Sequence, residues 1–80
     1  MSIKQLHQLL PGESAQIISF HKNLTLQSRL VEMGILPGVE IRLLKKGPFN
    51  GPIEIKVRCY EVALRYKDAM QINVSYNIIF

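Results

Sequence analysis

From Ile53 to Arg58 the chain alternates apolar and charged residues without a break: Ile53, Ile55 and Val57 against Glu54, Lys56 and Arg58. A period of two puts the first set on one face of a strand and the second on the other. This segment therefore needs a sheet with one dry face and one wet face. The pattern recurs around it. Residues 39–45 carry Val39, Ile41 and Leu43 opposite Glu40 and Arg42, residues 61–66 turn Val62 and Leu64 inward, and residues 70–74 alternate Met70, Ile72 and Val74. Residues 13–20 open the series, with β-branched and aromatic side chains in their second half. Five short strands from a chain of 80 residues cannot cover an apolar face as a flat sheet. Rolling up into a small barrel buries that face and removes the open edges together.

One segment breaks the period. In residues 25–33, Leu26, Leu30 and Met33 are spaced by four and three and share one face of a helix. Asn23 or Thr25 is placed to cap its start. Gly34 stands where a left-handed residue ends a helix, and Ile35 is placed to fold back onto the last turn. Turn chemistry accounts for the other boundaries. Leu10-Pro11-Gly12 predicts a type II turn, Pro37-Gly38 a second turn, and the stretch from Lys46 to Pro52 a loop. A tight turn is expected near Cys59-Tyr60, and Lys67-Asp68-Ala69 has room for a single turn. At the start, Ser2 and Gln5 have capping-box spacing, which predicts a short helical turn with Ile3 and Leu6 on one side. The expectation is a mainly β fold: a five-stranded barrel with one helix, 25–33, between strands one and two. Residues 1–80 form one domain, with 75–80 as an apolar extension.

Chemistry is harder to find. The acids Glu13, Glu32, Glu40, Glu54, Glu61 and Asp68 fall at strand starts, on outward positions or in turns, where solvated charge is the expected state. His7, His21 and Cys59 are the soft ligands, and no spacing among them suits the three or four ligands of a zinc site. Cys59 reads as a small turn residue. Gly47 and Gly51 lie between two strands and not before a helix, unlike a phosphate-binding loop. No catalytic residue, cofactor or metal site is assigned. A lone cysteine excludes an internal disulfide framework. The start of the chain lacks the apolar region of a signal peptide, and no apolar run approaches the ~20 residues that span a bilayer. A cytoplasmic protein with no direct membrane insertion is expected.

Three segments taken together, RLVEMGILPGVEI (29–41), KKGPFNGPIEIKV (45–57) and YEVALRYKDAMQINV (60–74), resemble the FeoA family, the small cytoplasmic proteins of bacterial ferrous iron uptake. The shared features are a helix ending in Met33-Gly34-Ile35 before Pro37-Gly38, a Gly-Pro loop between strands two and three, and Ala63-Leu64-Arg65 followed by Ala69. The resemblance covers residues 3–74. It implies an SH3-like barrel, no intrinsic activity, and a partner: the cytoplasmic region of a FeoB-like membrane transporter with a G-protein domain. A related module ends the DtxR-type metal-dependent repressors.

Candidate partner-binding residues follow from exposure and rigidity. Leu36, Pro37, Pro48 and Phe49 place apolar groups on proline-stiffened turns, where binding costs little entropy; the alternative is that Leu36 and Phe49 fold back and plug the barrel ends. Lys45, Lys46, Lys56, Arg58, Arg65 and Lys67 either gather as an electropositive rim or form an ordinary hydrated surface. Of these, Lys46, Arg58 and Arg65 are taken as candidate contacts. The tail residues Tyr76, Ile78, Ile79 and Phe80 either pad the barrel edge or pair with a second copy, so a homo-oligomer through residues 75–80 is a secondary expectation. Two rival functions remain open. A net charge of +4 and two candidate surface aromatics, Phe49 and Tyr60, suit a small nucleic-acid-binding barrel, although nucleic acid is not the expected partner. A stand-alone peptide-binding module related to the repressor domain is the other.

Overall fold

The computed structural model describes residues 2–21 and 24–76. Six strands and two helices follow one another: β1 (Ser2–Gln5), a 3-10 turn (Leu6–Gln8), β2 (Ser14–Phe20), α1 (Leu24–Glu32), β3 (Glu40–Lys46), β4 (Ile53–Val57), β5 (Tyr60–Leu64), α2 (Tyr66–Ala69) and β6 (Ile72–Tyr76). The strands form one antiparallel sheet in the order β1-β6-β2-β3-β4-β5, so β1 and β5 are its edges.

The sheet is one strand richer than the alternation predicts. Ser2–Gln5 is a strand, not a capped helical turn, and runs beside β6 with Ser2 opposite Tyr76 and Gln5 opposite Asn73. Lys4 Nζ lies 4.3 Å from the centre of the Tyr76 ring and fastens the pair. The capping interaction occurs one turn later, where the Gln5 N–H donates to Gln8 Oε1 at 2.8 Å. Only Leu6 of the expected apolar pair is buried; Ile3 is exposed. Ser75 and Tyr76 belong to β6, whose two sides are taken by β1 and β2, while residues 77–80 of the proposed dimer tail lie outside the described residues. No helix among the described residues is long and apolar enough to cross a membrane.

Two Leu-Pro-Gly turns organise the centre. Leu10–Glu13 and Leu36–Val39 each close with a backbone bond from the fourth residue to the first, 3.0 and 3.1 Å, and Gly12 and Gly38 take φ of 92° and 91°, as position three of a type II turn requires. Each glycine then donates into the strand that follows the other turn: Gly12 N–H to the Leu43 carbonyl and Gly38 N–H to the Ile17 carbonyl, both at 2.7 Å. The return bonds, Leu43 N–H to Glu13 and Ile17 N–H to Val39, are both 2.9 Å. The β2–β3 pair is thus clamped at both ends by the same device about a local two-fold at Ala15 and Ile41, which face each other in the ladder.

Bulges curl the sheet. The register slips at Ile18 between β2 and β6, and at Leu44 between β3 and β4. An extra residue on one strand bends it and deepens its twist. The inner face then closes on Ala15, Ile17, Ile41, Leu43, Ile53, Ile55, Val57, Leu64, Ile72 and Val74, all buried. Leu6 and Leu9 fill in from the 3-10 turn, and Leu26, Leu30 and Ile35 from the helical segment. Truncating any of the large aliphatics to alanine is expected to cost about 2–5 kcal/mol.

Helix α1 starts at Leu24, so Thr25 lies inside it; Asn23 lies outside the described residues. Its end is a Schellman motif. The Ile35 N–H donates to Leu30 (2.9 Å) and the Gly34 N–H to Val31 (3.0 Å), with Leu30 and Ile35 both fully buried. Strand β5 stops at Leu64, two residues earlier than the alternation predicts, because Tyr66–Ala69 winds into the single turn α2. Met70, expected inward, follows that turn and is exposed.

Candidate partner-docking surface

Among the described residues, the hairpin joining β3 to β4 presents the most exposed large apolar side chain. Gly47 N–H donates to the Pro52 carbonyl at 2.8 Å and Gly51 N–H to the Pro48 carbonyl at 3.0 Å. Between them Phe49 and Asn50 both take positive φ, 55° and 57°. Two positive φ values inside a four-residue turn define the mirror-image type I′ hairpin, a geometry that favours Asn, Asp and Gly. Gly51 cannot carry a side chain, since a Cβ there would lie 2.9 Å from the Pro48 carbonyl oxygen. Phe49 is 102% exposed. It does not plug the barrel. Holding an L-residue in this region costs about 1–2 kcal/mol, and nothing in the fold rewards it. Pro48 is exposed beside it. In the other proline turn, Leu36 is half-buried and Pro37 exposed.

The basic residues do not gather at one end; the fold divides them. Lys46 sits by His7, whose pKa is lowered by burial and by the Lys46 charge. His7 Nδ1 is buried with no hydrogen-bond partner among the described residues, and its ring meets Tyr66 edge-on at 5.1 Å. Lys56 and Arg58 lie instead beside Arg42, along a groove of about 520 Å³ also lined by Ser14, Gly38 and Glu40. Arg58 occupies the first position of the β4–β5 turn with φ 57°.

Arg65 and Lys67 border a third region with Arg29 and Asp68. Asp68 corrects the expectation that every acid is solvated, for it is buried, 8% exposed. Its Oδ2 accepts from Arg65 Nε at 3.2 Å and lies 3.6 Å from Arg29 Nη2. That contact ties α2 to α1, so Arg65 has a structural task, although more than half of its side chain is open. The i, i+3 spacing of Arg65 and Asp68 was the available sequence signal. The approach of Arg29 was not readable, because it depends on how α1 lies across the sheet.

Tyr60, which the sequence offers as a surface aromatic beside a tight turn, has a structural task that the sequence does not show. Its hydroxyl donates to the Met33 carbonyl at the end of α1 and stands where a Cβ on Gly34 would go. This joins the β5 edge to the helix end, along a shallow groove lined by Val31, Met33, Tyr60 and Val62. Cys59 is exposed in the adjoining turn. Among the described residues, no three of His, Cys, Asp and Glu come together in a way that could hold a metal ion. The surface carries an exposed aromatic on a proline-flanked tip, a groove lined by basic residues and a shallow groove lined mainly by apolar ones.

The chain is similar to several known proteins. The FeoA domain model matches residues 4–76. A fusion protein of Porphyromonas gingivalis, described as Fe(2+) transport protein A joined to Fe(2+) transporter FeoB, is 30% identical over 89% of this chain, and the chain spans 8% of that protein's length. The crystal structure of an iron uptake regulatory protein, FeoA, superposes with a TM-score of 0.85 at 27% identity, covering 92% of this chain and 97% of the other. The zinc-complexed FeoA of Stenotrophomonas maltophilia, described as a procaryotic SH3 domain protein, gives 0.77 at 32% identity, covering 90% and 89%.

Proposed function

The chain belongs to the FeoA family, with an SH3-like fold, and on that premise we propose that it is a non-catalytic cytoplasmic accessory of ferrous iron uptake that docks on the cytoplasmic region of a FeoB-type transporter. The observation that carries this reading is the Porphyromonas gingivalis protein, in which a segment similar to nearly this whole chain is part of one polypeptide with the transporter. Linking two modules raises their mutual effective concentration to the millimolar range for short linkers. That gain is useful where the two modules act on each other.

The docking surface is proposed to centre on Phe49 and Pro48, with Lys46 at the base of the same hairpin, and to extend over Leu36, Pro37 and Arg58. Arg65 contributes from its open side. A fully exposed phenylalanine on a stiff tip can bury its whole ring on contact, and burial of such a side chain is worth about 1.5–3 kcal/mol.

The test is co-purification of this chain with the soluble cytoplasmic region of FeoB, together with ferrous uptake in cells lacking the chain. Association that Phe49→Ser weakens, and reduced uptake on deletion, are expected. Failure to associate, with uptake unchanged by deletion, would overturn the assignment.

A further inference from the structure

The groove over the outer faces of β2, β3 and β4 holds an arrangement that folding alone does not favour. Arg42 and Lys56 face each other directly across the β3–β4 ladder. Like charges in that position repel and destabilise a sheet. Arg58 follows β4 as the first residue of the β4–β5 turn, lines the same groove, and is held at φ 57° in a turn that glycine or asparagine would enter more easily. All three side chains are exposed. Both ion pairs among the described residues belong to Asp68, on another part of the surface, so none of the three cations is in an ion pair there, although Glu61 stands opposite Lys56 on the β5 side. Glu40 is the one acid lining the groove, against three cations. Repulsion in register, an arginine in a left-handed turn and a groove lined by three cations and one acid together indicate a ligand that supplies negative charge.

We propose that this groove receives an extended acidic segment of the protein partner, with carboxylates at alternate positions set against Arg42, Lys56 and Arg58. The spacing supports an extended ligand. Cross-strand neighbours stand about 5 Å apart and same-face neighbours along a strand about 7 Å, and an extended ligand repeats its same-side carboxylates at about the latter distance. Arginine engages carboxylates through paired, directional bonds, and Ser14, directly opposite Arg42 on the other side, adds a hydroxyl at the groove's edge. A nucleic-acid strand suits the groove less well. Glu40 would face an unbroken run of phosphates, Tyr60 is engaged with the Met33 carbonyl, and Phe49 sits on a different hairpin, so no free aromatic is at hand for bases to stack upon.

The inference rests on the reading of the chain as a docking protein and names the chemistry of what it docks to. The experiment titrates the isotopically labelled full chain with a short synthetic peptide of alternating glutamate and serine, follows backbone amide shifts, and repeats the titration with a single-stranded oligonucleotide of equal charge. Shifts centred on Arg42, Lys56 and Arg58, with affinity falling as salt rises, are expected. Lys56→Glu or Arg42→Glu should weaken peptide binding about tenfold or more, and Lys67→Glu less than about twofold. The milder Lys56→Gln should weaken it to an intermediate degree, and the dispersion of each variant's spectrum shows that it is folded. Shifts centred elsewhere, equal effects of Lys67→Glu and Lys56→Glu, or tighter binding of the oligonucleotide at the same residues would each overturn the proposal. The transporter assay separates the two readings. If the unsubstituted chain binds FeoB's cytoplasmic region and Lys56→Glu binds it equally well, the docking function stands and the acidic-segment proposal is wrong.

Discussion

Replacing Gly34 by alanine tests how α1 is fastened to the sheet. Gly34 has φ 81°, a region that costs an L-residue about 1–2 kcal/mol. The new methyl would also fall on the Tyr60 hydroxyl. Tyr60 must then move, and its bond to the Met33 carbonyl is lost, at about 0.5–1.5 kcal/mol. Gly34→Ala is therefore expected to destabilise by about 1.5–3.5 kcal/mol, which for a domain of this size lowers Tm by roughly 6–28 °C. Tyr60→Phe alone removes the hydrogen bond and should cost about 1 kcal/mol. In that background alanine at position 34 meets only the ring carbon Cζ, 3.6 Å away, an ordinary contact, so the backbone cost alone remains. The double variant should thus be more stable than the sum of the two single costs implies, by about 1 kcal/mol. Urea denaturation of all four proteins, followed by circular dichroism, measures that coupling. Additivity within about 0.5 kcal/mol would show that the Tyr60 hydroxyl does not hold the helix end, and the account given for Gly34 would fail.

Three further outcomes are expected. Asp68→Asn should cost about 1–2 kcal/mol, because a buried carboxylate loses Arg65 and Arg29 while the exposure of both arginines limits what each pair contributes; a urea midpoint unchanged from the parent would rule that out. Phe49→Asn should raise stability by roughly 0.5–1 kcal/mol, since asparagine tolerates the positive φ better than phenylalanine and no packing is lost, and it should weaken FeoB binding in the same preparation. His7 has its pKa lowered by burial and then by Lys46, from an ordinary value of 6.5. The unfolded chain therefore takes up the proton first as pH falls. This contribution to stability is fully present above pH 6.5 and is lost as pH drops through that value toward the lower folded pKa. In His7→Phe, which keeps a ring against Tyr66, the part of the stability loss that sets in below that pH should disappear from denaturation curves measured at stepped pH.

Much of the architecture can be read from residue order because short-range physics dictates it. The period-two runs at 39–45 and 53–58 become β3 and β4, and Leu26 and Leu30 do face the core. The turn at Gly34 closes with Ile35 folded back onto the last helical turn, as predicted, its N–H donating to the Leu30 carbonyl. Each of these depends on neighbours within a few positions. Ser2–Gln5 departs from the expected helical turn for the converse reason: its strand exists only because β6, from the far end of the chain, lies beside it. The bulges at Ile18 and Leu44 are equally silent in sequence, since an unpaired residue in a ladder is defined by the partner strand.

The candidate surface divides in the same way. That Phe49 lies on a proline-flanked turn is written in the sequence; that it is wholly exposed, in a type I′ geometry, is decided by how the hairpin closes. The six acids and the scattered lysines and arginines are visible as a list of charges. Which of them meet is not. Pairing β3 with β4 in this register sets Arg42 opposite Lys56, with Arg58 lining the same groove, and laying α1 across the sheet brings Arg29 to Asp68. Local periodicity and turn chemistry set the elements, because those energies act between near neighbours along the chain. The juxtaposition of charges, and with it the surface offered to a partner, exists only once segments distant in sequence have packed against a common core.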